Sequence, residues 1–354
     1  MASAYLNRVS TAAPPSDVHN AFVALAGDLL KGSRGLPLFK RLAARSQIEH
    51  RWSVLSLAPP DAASLDTAGL YRPGGFASTA DRMRVFEQFA PDLAQRAVDG
   101  LKLGDDAARI SHVIVTSCTG LSAPGLDLEL VRRCGLPPSV ERTVIGFMGC
   151  YAAINALKLA RHVVRSDPAA RVLILSLELC TLHLQETDDL EQVLSFLVFG
   201  DGCAAALVSA DPAGLRLDRF HAALAPEAAA QITWAIGDQG FNMVLSGQVP
   251  ASVGAALRTH RTTILDGADI GEIDLWAIHP GGRSVLDAVE AALGLPPAAM
   301  AASREVLRRY GNMSSATILF VLEAVMAQAW TGQRGVAMAF GPGLTAETLQ
   351  FSAA

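Results

Sequence analysis

A cysteine at 150, a histidine at 279 and an asparagine at 312 stand in apolar, glycine-rich surroundings. Together they suit one reaction class. A thiolate accepts an acyl group from a thioester, while imidazole and carboxamide N–H groups bind the oxyanion of an enolate or tetrahedral intermediate. Asn has no basic atom, so its value there is as a donor. Taken singly, each residue has an ordinary explanation: Cys is among the most buried residue types, histidines end strands, and Asn caps helices. The spacing argues for more. "VIVTSCTG" falls on "LWAIHPGG" and "GCYAAINALKLA" on "GNMSSATILFVLEA", with 32 positions from Cys118 to Cys150 and 33 from His279 to Asn312. Two matched anchors at almost one spacing point to an internal duplication. Packed about a pseudo-twofold axis, the halves bring Cys150 and Asn312 to related helix starts and His279 to a strand end beside them. A helix N-terminus and an imidazolium lower a thiol's pKa from about 8.5 toward roughly 3.5 to 7.5, so Cys150 is expected as a thiolate at neutral pH.

The surrounding elements alternate. "RMRVFEQFAPDLAQRAVDGL", "LDLELVRRCGL" and "YAAINALKLARHVVRS" read as helices between the strands "SHVIVTSCTG", "ERTVIGFMGC", "RVLILSLEL" and "GCAAALVSA". The second half repeats the order, with "EIDLWAIHPGG" as strand, "RSVLDAVEAALGL" as helix, a helix–turn–helix through "SREVLRRYGNMSSATILFVLEAVMAQAW", and strands in "GVAMAFGPGLTAETLQF". This is an α/β layered fold with a mixed or parallel sheet. Two halves are expected, 1–210 with the cysteine and 211–354 with the histidine and asparagine. Toward the N-terminus, "DVHNAFVALAGDLLK" reads as a helix capped by Ser16, "LFKRLAARSQIEHRW" as a second helix with a basic face, and Ala58 to Thr79 as a long surface loop.

Composition narrows the class. With 51% hydrophobic and 18% charged residues there is apolar material for a large core. A net charge of −5, with no basic cluster interleaved with aromatics, argues against nucleic acid. The five cysteines are odd in number and at least sixteen positions apart, so neither a disulfide framework nor a metal site is expected. The first twenty residues lack a signal pattern and no apolar run is long enough for a membrane span, so a soluble cytoplasmic protein is expected.

The pieces "GFMGCYAA", "VFGDGCAA", "WAIHPGG", "YGNMSSA" and "AFGPGLTAE" resemble the type III polyketide synthases, the chalcone and stilbene synthase superfamily with its bacterial alkylpyrone and alkylresorcinol relatives. The resemblance runs from about Ala4 to Phe351. It implies a thiolase-like fold, five-layered αβαβα with two duplicated halves, in a homodimer that uses an acyl-CoA starter and malonyl-CoA and needs no cofactor beyond these coenzyme A thioesters. It implies that Cys150 holds the starter and growing chain, and that His279 and Asn312 promote malonyl decarboxylation and stabilise the enolate. By the same likeness Phe199 matches the gatekeeper between the coenzyme A tunnel and the cavity, and Met243 falls where plant members carry a second gatekeeper phenylalanine. Cys118, Thr119, Cys180 and Ser314 match cavity-lining positions, and Gly341 and Pro342 match the family's GFGPG loop, its first glycine here being Ala339. Arg41 and Arg45 match basic residues that meet coenzyme A phosphates; the first such position is Leu38, with Lys40 as a substitute.

The expected function is therefore iterative decarboxylative condensation followed by cyclisation. Small residues at Cys118, Thr119 and Ser314, with Met243, favour a fatty acyl starter and an alkylpyrone or alkylresorcinol product. A single-round ketoacyl or hydroxymethylglutaryl synthase of the same fold is the alternative; it shares Cys, His and Asn but not the "VFGDG", "HPGG" and "GFGPG"-like set together. A non-catalytic scaffold of this fold would have no chemical reason to keep all three residues.

Overall fold

The computed structural model describes residues 2–354. In the first half, β1 (Tyr5–Ala12) is followed by helices α1 (His19–Leu29), α2 (Leu36–Ala44) and α3 (Thr79–Gly100). Then come β2 (His112–Ser117), α4 (Leu126–Arg133), β3 (Glu141–Gly146), α5 (Ala152–Ser166), β4 (Val172–Leu179), α6 (Leu190–Val198) and β5 (Asp201–Ser209). The second half runs β6 (Leu215–Leu224), a hairpin of Ile232–Gly237 and Gly240–Leu245, α7 (Val249–Ile264), β7 (Leu275–Ile278), α8 (Arg283–Leu293), α9 (Ala301–Tyr310), α10 (Thr317–Met326), β8 (Arg334–Gly341) and β9 (Thr345–Ala353).

The sheet order is β7-β8-β9-β6-β1-β5-β4-β2-β3. Each half obeys one rule: its first strand lies beside its last, then the penultimate, then the second. The pairings agree as well, since β1–β5–β4 and β6–β9–β8 are antiparallel while β4–β2 and β8–β7 are parallel. The halves meet where β1 and β6 pair antiparallel through only Tyr5–Arg216 and Leu6–Leu215. The pseudo-twofold axis expected from the sequence passes there. The repeat is imperfect: α9 stands in the second half where β3 stands in the first, α6 has no counterpart between β8 and β9, and a hairpin with α7 takes the place of α1 to α3.

The sequence explains the layering. α10, "TILFVLEAVM", is apolar on nearly every side, as a helix must be when it has no solvent face. It packs on β1 and β5 of one half and β7 and β8 of the other, while α5 packs on β2, β4, β5, β6 and β9. These two helices form the central layer, and Ala153, Ala156, Ala160 and Ala316 let backbones approach in the core around them. A second apolar cluster lies under α3 and a third under α7 and α8, which cover the outer faces. The architecture is thus the five-layered αβαβα thiolase-like arrangement.

Some local expectations fail. Ser16 does not cap α1: the helix begins at His19, whose N–H donates 3.1 Å to the Asp17 carboxylate. The second helix stops at Ala44, because the Ser46 hydroxyl accepts the Ile48 N–H and Gln47 turns to φ 63°. Trp52–Ser53 then pairs with Ser16–Asp17 as a short strand.

Candidate active site

Cys150 owes its place to a tight turn. After β3, Phe147 takes φ 55° and Gly149 φ 70°, and a single helical turn, Gly149–Tyr151, leads into α5. A Cβ on Gly149 would fall 2.4 Å from Pro342 Cδ, so the turn and the Gly341–Pro342 corner after β8 close on one another only with glycine there. Ser314, in the second half, also has a positive φ of 47°. Non-glycine residues in this region cost roughly 1–3 kcal/mol each and gather at functional sites.

His279 directly follows β7, as Cys118 follows β2. Its ring is fully buried, and neither Nδ1 nor Nε2 has a hydrogen-bond partner among the described residues. Asn312 is held by backbone: its N–H donates to Val198 at 2.8 Å and its carbonyl accepts from the Gly200 N–H at 2.9 Å, so Phe199 and Asn312 are bridged. Its Oδ1 accepts the Ser314 N–H at 2.8 Å and the Thr317 hydroxyl at 3.4 Å. Those bonds orient the amide, whose Nδ2 donates to the Gly281 carbonyl at 3.5 Å and has a second N–H for another acceptor. Nδ2 lies 3.9 Å from Cys150 Sγ, and Ser314 Oγ lies 3.8 Å from it. One part of the sequence-based pairing changes here. Counted from the helix starts at Ala152 and Thr317, the counterpart of Cys150 is Ser315; Asn312 lies three residues earlier, on the extended bridge to Phe199.

The charge state also departs from expectation. Burial pushes the Cys150 thiol up to about 12, with the nearby Glu178 carboxylate adding to the rise and Ser314 and Asn312 opposing it. Burial alone pushes the His279 imidazole down to about 3. Taken separately, then, the two groups rest as neutral thiol and neutral imidazole, without the imidazolium that the thiolate expectation requires. Glu178 was not anticipated, although a lone Glu inside the apolar strand "VLILSLEL" was its signal. It is buried and accepts from Ser315 Oγ at 2.5 Å, Thr119 Oγ1 at 2.7 Å and the Cys118 N–H at 3.0 Å. It therefore ties the floor of the site to both halves.

Cys150, His279 and Asn312 line one cavity of about 50 Å³, together with Cys118, Thr119, Cys180, Phe199, Met243, Ser314, Gly341 and Pro342. Sequence reading missed Trp234, Leu245 and Val249 in its wall. Trp234 faces Met243 across the hairpin and donates from Nε1 to the Cys118 carbonyl at 2.6 Å. A groove of about 830 Å³ adjoins the cavity through Leu245, Val249, Gly281 and Val285. Arg45 lines it, as does Arg283, which the sequence reading did not select; Lys40 and Arg41 are exposed on α2 outside its lining. Among the described residues, no group of His, Cys, Asp or Glu side chains could hold a metal ion, and no helix is long and apolar enough to cross a membrane.

The family model for the N-terminal domain of chalcone and stilbene synthases matches residues 37–212, and that for the C-terminal domain matches 217–353. The chain belongs to the chalcone and stilbene synthase family, the type III polyketide synthases. It is similar to the alpha-pyrone synthesis polyketide synthase-like Pks18 of Mycobacterium tuberculosis, at 36% identity over 78% of this chain and 74% of that one. It is 33% identical to bisdemethoxycurcumin synthase of Oryza sativa subsp. japonica, over 88% and 82% of the two chains. Among solved structures, 1,3,6,8-tetrahydroxynaphthalene synthase from Streptomyces coelicolor A3(2), a bacterial type III polyketide synthase, matches with TM-score 0.86, 29% identity and 99% of each chain covered. The protein is thus an acyltransferase of the polyketide synthase kind.

Proposed function

We propose that this type III polyketide synthase loads an acyl-CoA starter on Cys150 and extends it with malonyl-CoA by repeated decarboxylative condensation. The observation that carries the reading is the convergence of a thiol, a free imidazole and an oriented amide donor on one buried cavity. As the starter thioester binds, Cys150 passes its proton to His279 and attacks the acyl carbonyl; coenzyme A leaves as thiolate and takes up a proton. Malonyl-CoA then loses CO₂ as its carboxylate C–C bond breaks. The electron pair remains as an enolate whose oxygen receives the Asn312 Nδ2–H and a His279 N–H. That carbon attacks the acyl-Cys150 carbonyl, forming the new C–C bond and freeing the Cys150 thiolate for reacylation by the lengthened chain. Burial strengthens each donor, because no water competes for the oxyanion. No cofactor takes part.

Arg45 and Arg283 would meet coenzyme A phosphates at the groove, with Lys40 and Arg41 nearby on α2, and Phe199 would separate groove from cavity. A fatty acyl starter and an alkylpyrone or alkylresorcinol product are the preferred finer reading. The alpha-pyrone name of the mycobacterial relative and the slender, adaptable Met243 support it. At about 50 Å³ the cavity is too small for a fatty ketide chain, and Met243 is a flexible wall that can yield as the chain grows. We further propose cytoplasmic homodimers built from the 1–210 and 211–354 halves. Incubation with malonyl-CoA and a ladder of acyl-CoA starters, read by mass spectrometry, tests the reading. Cyclised products lengthened by two or more malonyl-derived units support it. Linear products one unit longer would favour the single-round synthase.

A further inference from the structure

The hairpin of Ile232–Gly237 and Gly240–Leu245 is a sheet of its own, separate from the nine-stranded one, and two strands alone are marginally stable in water. Yet its inner face carries Trp234 and Met243 into the wall of the catalytic cavity. Its position therefore depends on what ties it to the body. At the tip, the Thr79 N–H at the start of α3 donates to the Asp238 carbonyl at 2.8 Å, the Thr79 hydroxyl accepts the Gly240 N–H at 2.8 Å, and Gln185 Nε2 donates to the Gln239 carbonyl at 2.9 Å.

Midway along the hairpin the tie is His183, 1% exposed in the turn after β4. A carbonyl only accepts and a backbone N–H only donates, so its two partners fix the ring as one neutral tautomer. Nε2–H donates to the Thr119 carbonyl at 2.7 Å, and Nδ1 accepts the Phe241 N–H at 3.1 Å. The ring is stacked on Phe241, with centroids 4.1 Å apart, and meets Trp234 edge-on at 5.5 Å. Arg82 holds the backbone on either side, donating from Nη1 to the Leu182 and Leu184 carbonyls at 2.6 and 2.8 Å. Phe241 in turn packs at 5.6 Å on Phe147, in the turn that presents Cys150. Thr119 and Trp234 line the cavity, and His183 stands behind both. An apolar side chain of that size would fill the same space with neither hydrogen bond; the imidazole joins the cavity floor to the hairpin at a set distance.

We propose that His183 is a positioning residue that latches the hairpin to Thr119 and thereby limits the length of acyl chain that Cys150 can carry. Its effect on chain length rests on thioester loading at Cys150, whereas the latch stands without it. With the hairpin held at its tip and its middle, room for a growing chain comes from Met243 bending rather than from the strands moving. Releasing His183 frees the strands and admits longer chains.

The test joins fluorine NMR of enzyme labelled with fluorotryptophan to intact-protein mass spectrometry of acylation by butanoyl-CoA and decanoyl-CoA. The Trp234 resonance is identified by its loss in Trp234→Phe. In His183→Ala that resonance should shift or broaden, and the ratio of decanoyl to butanoyl acylation rates should rise about tenfold, the scale expected when a buried polar group loses its partner. His183→Asn keeps an oxygen for the Phe241 N–H and His183→Gln an N–H for the Thr119 carbonyl, so each should give a smaller rise, and both serve if the alanine variant does not fold. A merely structural role would lower both rates alike and leave the ratio as it is. An unchanged ratio in folded variants, or a Trp234 resonance that stays where it was, would overturn the latch as the limit on chain length. Wild-type enzyme that takes up neither acyl group would overturn loading at Cys150 instead, and the Trp234 resonance would then decide the latch alone.

Discussion

At Cys150 the chemistry turns on where one proton resides. With the thiol pushed up to about 12, that proton stays bound throughout the neutral range; with His279 pushed down to about 3, the ring stays neutral above that pH. Neither charge forms alone, and in the proposed reaction transfer of the proton from sulfur to imidazole supplies the nucleophile and leaves the cavity neutral overall. His279→Ala removes the acceptor: carbamidomethylation of Cys150 by iodoacetamide at pH 7 should slow at least tenfold and recover as the pH is raised toward 12. An unchanged rate at pH 7 would show that the thiol ionises without the histidine. The role proposed for Asn312 is narrower, since its Oδ1 is occupied and only Nδ2 donates. Asn312→Ala should lower malonyl-CoA decarboxylation by about 10² to 10³, the usual loss for one oxyanion donor. Undiminished CO₂ release would place that donor elsewhere.

Among the elements, the segment between α9 and α10 carries the most. Gly311 sits at φ 67°, and a Cβ there would lie 2.7 Å from the Val198 carbonyl and 3.0 Å from Arg51 Cγ. Gly311→Ala should destabilise the fold by about 1–3 kcal/mol and displace Asn312 from the Phe199 bridge. Calorimetry should show a lowered Tm and assays a loss of decarboxylation; a variant with wild-type values of both would show that the bridge does not position the amide. What the sequence revealed follows from the same elements. The strands and helices with strong periodicity or continuous apolar runs, such as β4, α5 and α10, were legible, as was the matched spacing around Cys118 and His279. The hairpin that brings Trp234 and Met243 to the cavity was not, because "ITWAIGDQGFNMVL" has its short turn at Asp238–Gln239 and exposes one face of each strand. β1 and β6 also escaped notice; Arg8, Arg216 and Asp218 interrupt their apolar patterns. With α9 in place of a strand, the second half runs four residues longer between its strand-end anchor and the matched helix start, 36 from His279 to Ser315 against 32 from Cys118 to Cys150, which hid Ser315 as the counterpart of Cys150.

At the scale of the whole molecule, two halves with one strand order share a central helical layer, and the site forms where their loops meet. One edge of this body is left unfinished. Among the described residues β3 pairs only with β2, and Val144 on it is 56% exposed, with Leu121 and Leu128 also exposed. An open, apolar edge strand is a template for pairing with another chain, which fits the proposed homodimer. Light scattering after size exclusion should give a dimer for the wild type and a monomer for Val144→Lys, and a wild-type monomer would contradict that assembly. In the proposed reaction the polyketide grows on Cys150. The most direct measurement of that growth is mass spectrometry of the proteolytic peptide containing Cys150 after brief incubation with an acyl-CoA starter and malonyl-CoA. That peptide should carry the starter and then successively longer ketide chains, none of them in Cys150→Ala. Extended products accumulating while the Cys150 peptide stays unmodified, or adducts on another cysteine, would contradict the account.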